Sequence, residues 1–231
     1  MTDGIMRTKM GTYVLRGDLL SSWVERENRL DIHDNIVEIA SFAHLIPEGG
    51  VVIDAGACIG DHTITYSQIV GPEGRVYTFE PHPLTYEALE LNTARLNNVI
   101  TVHAGLSDVA GSVQFTRDSA NVGASFVSDV GDLTVELLTL DGFFIPKLFH
   151  DDKVFIHLDA EGLETRILRG GRALIAKFHP TLVVEVCDKH LRRAGSSEPE
   201  LLALLDKLGY TVLPIPSHTE AELRDVLCVK K

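Results

Sequence analysis

Three acids close apolar runs in this chain, and each is placed to do chemistry. Asp54 ends "VVID" and leads into Gly56, Ala57 and Gly60 of "DAGACIG". Glu80 ends "VYTFE", and Asp159 ends "FIHLD" before Glu161 and Glu164 in "AEGLE". Glycines after a buried strand let the backbone bend sharply or approach a ligand closely. The helix amides that begin near Asp61 to Thr63 offer unpaired donors. A dinucleotide turn needs G-x-G-x-x-G, but Asp54 stands where the first glycine belongs. A carboxylate there would repel a pyrophosphate and welcome an ammonium group or hydroxyls. That favours S-adenosylmethionine over a nicotinamide dinucleotide. The plain alternative is an ordinary strand-to-helix turn that is rich in glycine.

Glu80 follows Asp54 at the customary interval of roughly 20–30 residues and could accept both ribose hydroxyls of an adenosine. Otherwise it is a solvated acid at a strand end. His82 and His62 stand beside these motifs and could line the site or cap it. An acid such as Asp159 is costly at a buried strand end without a purpose. Glu185, in "LVVEVCD", sits on the next strand and could converge with it. Asp159 could then act as a general base on a substrate hydroxyl, or share a divalent cation such as Mg2+ with Glu185. His157 lies on the same strand face as Asp159 and is a second base or a satisfied core histidine. His190 could reach an acceptor. Glu164 at a helix start has a simpler explanation in the helix dipole.

These residues need a parallel sheet to carry them. From Gly50 onward, apolar strand runs alternate with helical patterns. "GVVIDAG" precedes "DHTITYSQIVG", "RVYTFEP" precedes "PLTYEALELNTARLNN", and "ITVHAGL" follows. "GSVQFTRD" reads as a hairpin arm, "NVGASFVSD" as a polar loop and "LTVELLTLDGFF" as a strand running into a turn. "KVFIHLDAEG" precedes one long helix, "LETRILRGGRALIAKF", and "TLVVEVCD" precedes "EPELLALLDKLG". Strands fed by helices at this spacing predict right-handed βαβ units. The last two strands, "YTVLPI" and "DVLCVKK", are joined by a short loop and predict an antiparallel hairpin at the sheet edge. Before the sheet, "GTYVLRGD" reads as a strand, and "SSWVERENRL" and "NIVEIASFAHLI" as helices. Residues 1–48 are thus an extension on the substrate side, and 49–231 a cofactor-binding domain.

The 231 residues carry 21 basic and 33 acidic side chains, a formal charge of −12, which argues against a nucleic-acid partner. No apolar run reaches the ~18 residues of a membrane span. The three cysteines form no CxxC pair, and no secretion signal is apparent, so a reducing cytoplasm is expected.

Taken in order, "VVIDAGACIG", "YTFEPHP", "GLSD", "LLTLD", "IHLDAEGLETRILRGG" and "PTLVVEV" resemble the FkbM family of S-adenosylmethionine-dependent methyltransferases. The likeness covers roughly residues 50 to 190. It implies a Rossmann-like class I methyltransferase fold, an α/β architecture with a mostly parallel seven-stranded sheet and a C-terminal antiparallel hairpin. It further implies O-methylation of a sugar, glycan or related small molecule. By position, Asp54, Gly56, Ala57 and Gly60, with Asp61 and Thr63, would hold the methionine moiety and Glu80 the ribose. His82, Ser107 and Asp108 would lie around the adenosine, and Asp159, Glu161 and Glu164 are the family's acidic motif. Cys58 and His157 depart from the family pattern, which usually has asparagine and lysine there. The rival readings are a methyltransferase on RNA or protein, a nucleotide-binding module without chemistry, and a nicotinamide dehydrogenase that Asp54 disfavours.

Overall fold

The computed structural model describes residues 4–8, 12–18, 39–118, 125–128, 130–215 and 223–231. Strands β1 (Ile5–Arg7) and β2 (Tyr13–Leu15) form an antiparallel hairpin. Residues 39–42 are helical and pass into a 3-10 turn at Ala43–Leu45. The main body then runs β3 (Val51–Ala55), α1 (Asp61–Val70), β4 (Arg75–Phe79), α2 (Pro83–Thr93) and β5 (Val99–Val102). A second unit comprises β6 (Gly105–Leu106), β7 (Gly111–Thr116), β8 (Phe126–Val127), β9 (Leu133–Leu138) and α3 (Leu140–Phe144). The chain returns through β10 (Val154–Leu158), α4 (Glu164–Arg169), α5 (Arg172–Phe178), β11 (Thr181–Val186), α6 (Asp188–Arg193) and α7 (Glu198–Lys207). It closes with β12 (Tyr210–Pro214) and β13 (Arg224–Lys230).

Seven strands form one sheet in the order β12-β13-β11-β10-β3-β4-β5. All neighbours are parallel except β13, which runs antiparallel to both β11 and β12. The expected mostly parallel seven-stranded sheet with a terminal hairpin is therefore present. Its last strand is inserted between β11 and β12 rather than added outside them. Every residue of β3 and β10 is buried, as strands covered on both faces must be. On one face Val51, Ile53, Ala55 and Ile156 pack with Leu140, Phe144, Ile167, Leu174 and Leu205. On the other, Val52, Val76 and Phe155 pack with Phe42, Ile46, Tyr66 and Val70. Burying each large apolar side chain contributes about 1.5–3 kcal/mol. That makes Asp54, Thr78, His157 and Glu185, all buried on these strands, the positions that need explaining.

Several local expectations change. The single strand read over "ITVHAGL" divides, because β6 leaves the main sheet to pair with β9 in a four-stranded sheet ordered β6-β9-β7-β8. The single helix read over "LETRILRGGRALIAKF" breaks at Gly170 and Gly171. A Cβ on Gly170 would meet the Ser107 oxygen at 2.2 Å, and one on Gly171 would meet Leu140 at 2.6 Å. Close packing of this backbone on its neighbours is what the glycine pair permits. The turn after β9 is a helical turn, α3, capped by Thr139. Helix α6 lies in a stretch that sequence periodicity left unassigned. Within the polar loop read over "NVGASFVSD", Phe126 and Val127 pair with Thr116 and Phe115. Residues 119–124 and 129 fall outside the described residues, as do the "SSWVERENRL" helix and the first part of "NIVEIASFAHLI".

The described part of the N-terminal extension braces the glycine turn. Ile5, Val14 and Leu15 pack with Ile59 and Ala88. Asn92 of α2 accepts from the Tyr13 amide at 2.8 Å and donates to the Tyr13 and Ile59 carbonyls at 2.9 Å each. Among the described residues, no helix is long and apolar enough to cross a membrane.

Candidate active site

Successive connections lead outward from β3 through β4 to β5, then return to the other side of β3 through β10 and β11. The carboxyl ends of β3 and β10 therefore flank the point where strand order reverses, the usual ligand crevice of an open α/β sheet. Asp54 and Asp159 both stand there. The turn between β3 and α1 is strongly bent, with left-handed backbone at Gly56 (φ 91°), Cys58 (φ 48°) and Gly60 (φ 94°). A Cβ on Gly56 would lie 1.7 Å from the Asp159 carbonyl oxygen, so only glycine fits between these two strand ends. The Gly56 and Ala57 amides both donate to the Phe79 carbonyl at 3.0 Å.

Glu80 is fixed from two sides. It accepts from the Cys58 amide at 2.9 Å and from the His82 amide at 2.7 Å. Burial pushes its carboxyl up to about 7 despite these bonds. Cys58, the residue no reading of the turn anticipated, thus contributes its backbone amide. Burial, reinforced by the Glu80 charge, pushes its thiol well up, so it is no ready thiolate. His82 caps α2 by accepting from the Leu84 amide through Nδ1, and burial pulls it down to about 4. The neutral ring therefore carries its proton on Nε2, and that buried atom has no hydrogen-bond partner. Ser107 is buried and donates to Asp108 at 3.1 Å, and Asp108 accepts from Arg166 at 2.9 Å. Burial raises the Asp108 carboxyl, but Arg166 outweighs it and holds the group low.

Asp54 has different surroundings from those its sequence position suggested. His157, Asp54 and Thr78 lie side by side in register across β10, β3 and β4. Asp54 accepts from Thr63 at 2.6 Å and from Thr78 at 3.5 Å, and His157 Nδ1 stands 3.2 Å from its other oxygen. The His62 ring lies 4.8 Å from His157, and the Tyr66 ring 5.7 Å. Both Asp54 oxygens are thus engaged inside the molecule, and the residue is 1% exposed. Through Thr63 of α1, Asp54 anchors the turn. Burial raises Asp54, but the His157 hydrogen bond and charge outweigh that and hold it low. Burial pulls His157 down, but Asp54 outweighs that and lifts it to about 9. His157 thus sits in the core, held beside Asp54.

The second acidic cluster lies at the ends of β10 and β11. Glu164 is buried and accepts from the Ala160 and Gly162 amides at 2.9 and 3.2 Å, which ties down the turn before α4. Glu161, in left-handed backbone at φ 54°, accepts from Arg193 at 3.2 Å and lies 3.1 Å from His190 Nδ1. The Arg193 guanidinium also stacks 3.7 Å from the Phe126 ring, which joins β8 to this rim. Asp159 and Glu185 are both raised well above ordinary carboxylates, by burial first and then by acidic neighbours. Among the described residues, no group of three or more His, Cys, Asp or Glu is arranged to hold a metal ion. The divalent cation expected on Asp159 and Glu185 finds no such group to bind it.

The match to known proteins follows the same geometry. Residues 54–212 match the model of the methyltransferase FkbM domain. The chain belongs to the FkbM methyltransferase family. It is 31% identical over 130 residues to the hexuronic acid methyltransferase AglP of Haloferax volcanii, covering 53% of this chain and 50% of that protein. The chain therefore spans about half the length of that curated relative. Among solved structures it resembles methyltransferase FkbM from Methylobacillus flagellatus, with a TM-score of 0.54 and 16% identity, covering 78% of this chain and 43% of the other. It also resembles Aeropyrum pernix fibrillarin with natively bound S-adenosyl-L-methionine, with a TM-score of 0.52 and 13% identity, covering 84% and 73%. At such identities these structures show the fold, which is that of class I methyltransferases.

The FkbM fold brings together most residues that the sequence singled out. Sequence reading missed Thr78, which lies inside "YTFEPHP" beside Glu80, and Arg193, Phe126 and Asp225, which sit in no motif. Only sheet register and a stacking contact place them. The glycine cradle and the fixed acid at Glu80 fit an adenosyl cofactor with an amino-acid tail. Gly56, Ala57 and Gly60 would hold the tail, and Glu80 would hold the ribose.

Proposed function

We propose that this chain is an S-adenosylmethionine-dependent O-methyltransferase acting on a hydroxyl of a sugar-like small molecule. The carrying observation is the turn from Asp54 to Gly60, closed against the Asp159 backbone at the switch point and continued by Glu80. The name of the Haloferax relative, a hexuronic acid methyltransferase, supports a sugar acceptor. When bound, S-adenosylmethionine supplies an electrophilic methyl group on a sulfonium. The residues of this chain supply the rest. Gly56 and Gly60 give the close backbone approach, and Glu80 accepts from the ribose hydroxyls. Ser107 and Asp108 stand at the adenosine end with His82. Asp159 takes the proton of the acceptor hydroxyl. A base placed at the end of β10 contributes roughly 10²–10⁴-fold. Holding the acceptor in line contributes more. We assign the choice of acceptor to residues 1–45 and 119–132. Support comes from Asp18, whose charge is felt at Cys58, and from Phe126, which stacks on Arg193.

Calorimetric titration with S-adenosylhomocysteine and with NAD tests the cofactor. S-adenosylhomocysteine should bind and NAD should not; the reverse result sinks the reading. For the chemistry, Asp159→Ala should abolish methyl transfer from labelled cofactor while S-adenosylhomocysteine still binds. Unchanged turnover would remove Asp159 from the mechanism.

A further inference from the structure

Two carboxylates beyond Asp159 have no role in the methyl-transfer scheme, and His190, 3.6 Å from Glu185, makes no hydrogen bond to it. Glu185 of β11 and Asp225 of β13 lie directly opposite each other in the antiparallel register. Like charges directly opposite on a ladder destabilise it. Asp159 follows β10 on the adjoining strand, where Leu158 is level with Val184. Three of the positive groups nearby, His157, Arg224 and Arg193, make their contacts with other residues. His157 is held by Asp54, and Arg224 pairs with Glu198 at 2.5 Å. Arg193 donates to the Glu161 carbonyl and carboxylate and stacks on Phe126. His190 Nδ1 is nearer to Glu161, at 3.1 Å, than to Glu185, at 3.6 Å.

Glu185 is 7% exposed, and its Oε2 is buried with no hydrogen-bond partner. A buried acid without a partner is costly, and an acid facing it adds to the cost, so both call for a ligand. A metal ion needs more donors than the described residues group together. The position selects which ligand. Asp159 touches the cofactor turn through its backbone at Gly56. Glu185 and Asp225 lie one and two strands farther from β3 than Asp159, at about 4.8 Å per strand. On the methyltransferase reading, that is the acceptor side of the crevice.

We infer that Glu185 and Asp225 form a subsite for a protonated amine on the methyl acceptor. The acceptor is then an amino sugar or similar amino alcohol, and an acidic sugar would meet like charge. This rests on the methyltransferase reading of the same site. The test uses the full chain saturated with S-adenosylhomocysteine and titrated calorimetrically with methyl glucosaminide, methyl glucoside and methyl glucuronide. The glucosaminide should bind roughly tenfold more tightly than the glucoside, and the glucuronide most weakly. Asp225→Asn and Glu185→Gln should each erase the preference for the amine and leave the affinity for S-adenosylhomocysteine unchanged. Equal or tighter binding of the glucoside or glucuronide overturns the inference, as does the absence of amine-dependent binding. A preference that survives in Asp225→Asn also overturns it. Saturable Mg2+ binding that both variants abolish would make the pair a metal site instead. Failure of the wild type to bind S-adenosylhomocysteine would remove the methyltransferase reading itself, a separate result.

Discussion

The pair Asp54–His157 carries the clearest consequences of any two side chains. Both are buried and lie 3.2 Å apart, so removing one leaves the other charged and unpaired. His157→Ala should cost about 3–5 kcal/mol, read as a lower urea midpoint with unchanged slope. His157→Lys, which restores a cation, should recover part of that loss. The pair also makes stability depend on pH. His157 is raised from 6.5 to about 9. Its contribution is complete below pH 6.5 and is lost as pH rises through about 9. Asp54 is held below 3.8, so its contribution is present above that value and is lost as pH falls through the lower folded value. Thermal melts should therefore fall away on the alkaline side near pH 9. Glu80 acts in the opposite sense. Raised from 4.5 to about 7, it favours its protonated form in the folded chain, so its contribution declines as pH rises from 4.5 to about 7. A ribose that donates to Glu80 prefers the ionised acid. S-adenosylhomocysteine should therefore bind more tightly at pH 8 than at pH 6 by calorimetry.

At the scale of elements, the glycine turn is held from three directions: β10 in front, β4 beneath, and the β1–β2 hairpin behind through Asn92. Gly56→Ala places a methyl group on the Asp159 carbonyl and should abolish S-adenosylhomocysteine binding, checked by calorimetry beside a circular dichroism spectrum. Asn92→Ala removes three hydrogen bonds and should lower stability by about 1–3 kcal/mol, read by urea titration. The elements themselves were legible where hydrophobic pattern and length agreed. β3, β4, β10 and β11 are continuous apolar runs, and α1, α2 and α7 have clear starts and stops. Where tertiary contact decides, the pattern failed. The α4–α5 break serves a backbone packed on Ser107. The departure of β6 serves β9, a partner thirty-odd residues away. Helix α6 is short and polar on most sides, so periodicity had little to register.

At the scale of the whole molecule, the terminal hairpin joins the rest of the sheet through β13, which lies between β11 and β12. Truncation after Pro214 would strip β11 of its β13 neighbour and leave β12 unpaired. Such a chain should lose its cooperative unfolding transition, which a thermal melt would show. The same insertion brings Asp225 opposite Glu185.

The sequence by itself determined the alternation of strands and helices, a mostly parallel sheet with a terminal hairpin, and the turn with its acids at Asp54, Glu80 and Asp159. These are local properties: apolar periodicity, glycine at a bend, an acid at a strand end. Tertiary structure alone decided what each acid faces. Asp54 turned inward to His157 because β3 and β10 are neighbours in register, and Glu185 met Asp225 because the last strand entered the sheet antiparallel. What each carboxylate faces depends on partners far along the chain, and spacing within a motif carries no record of them.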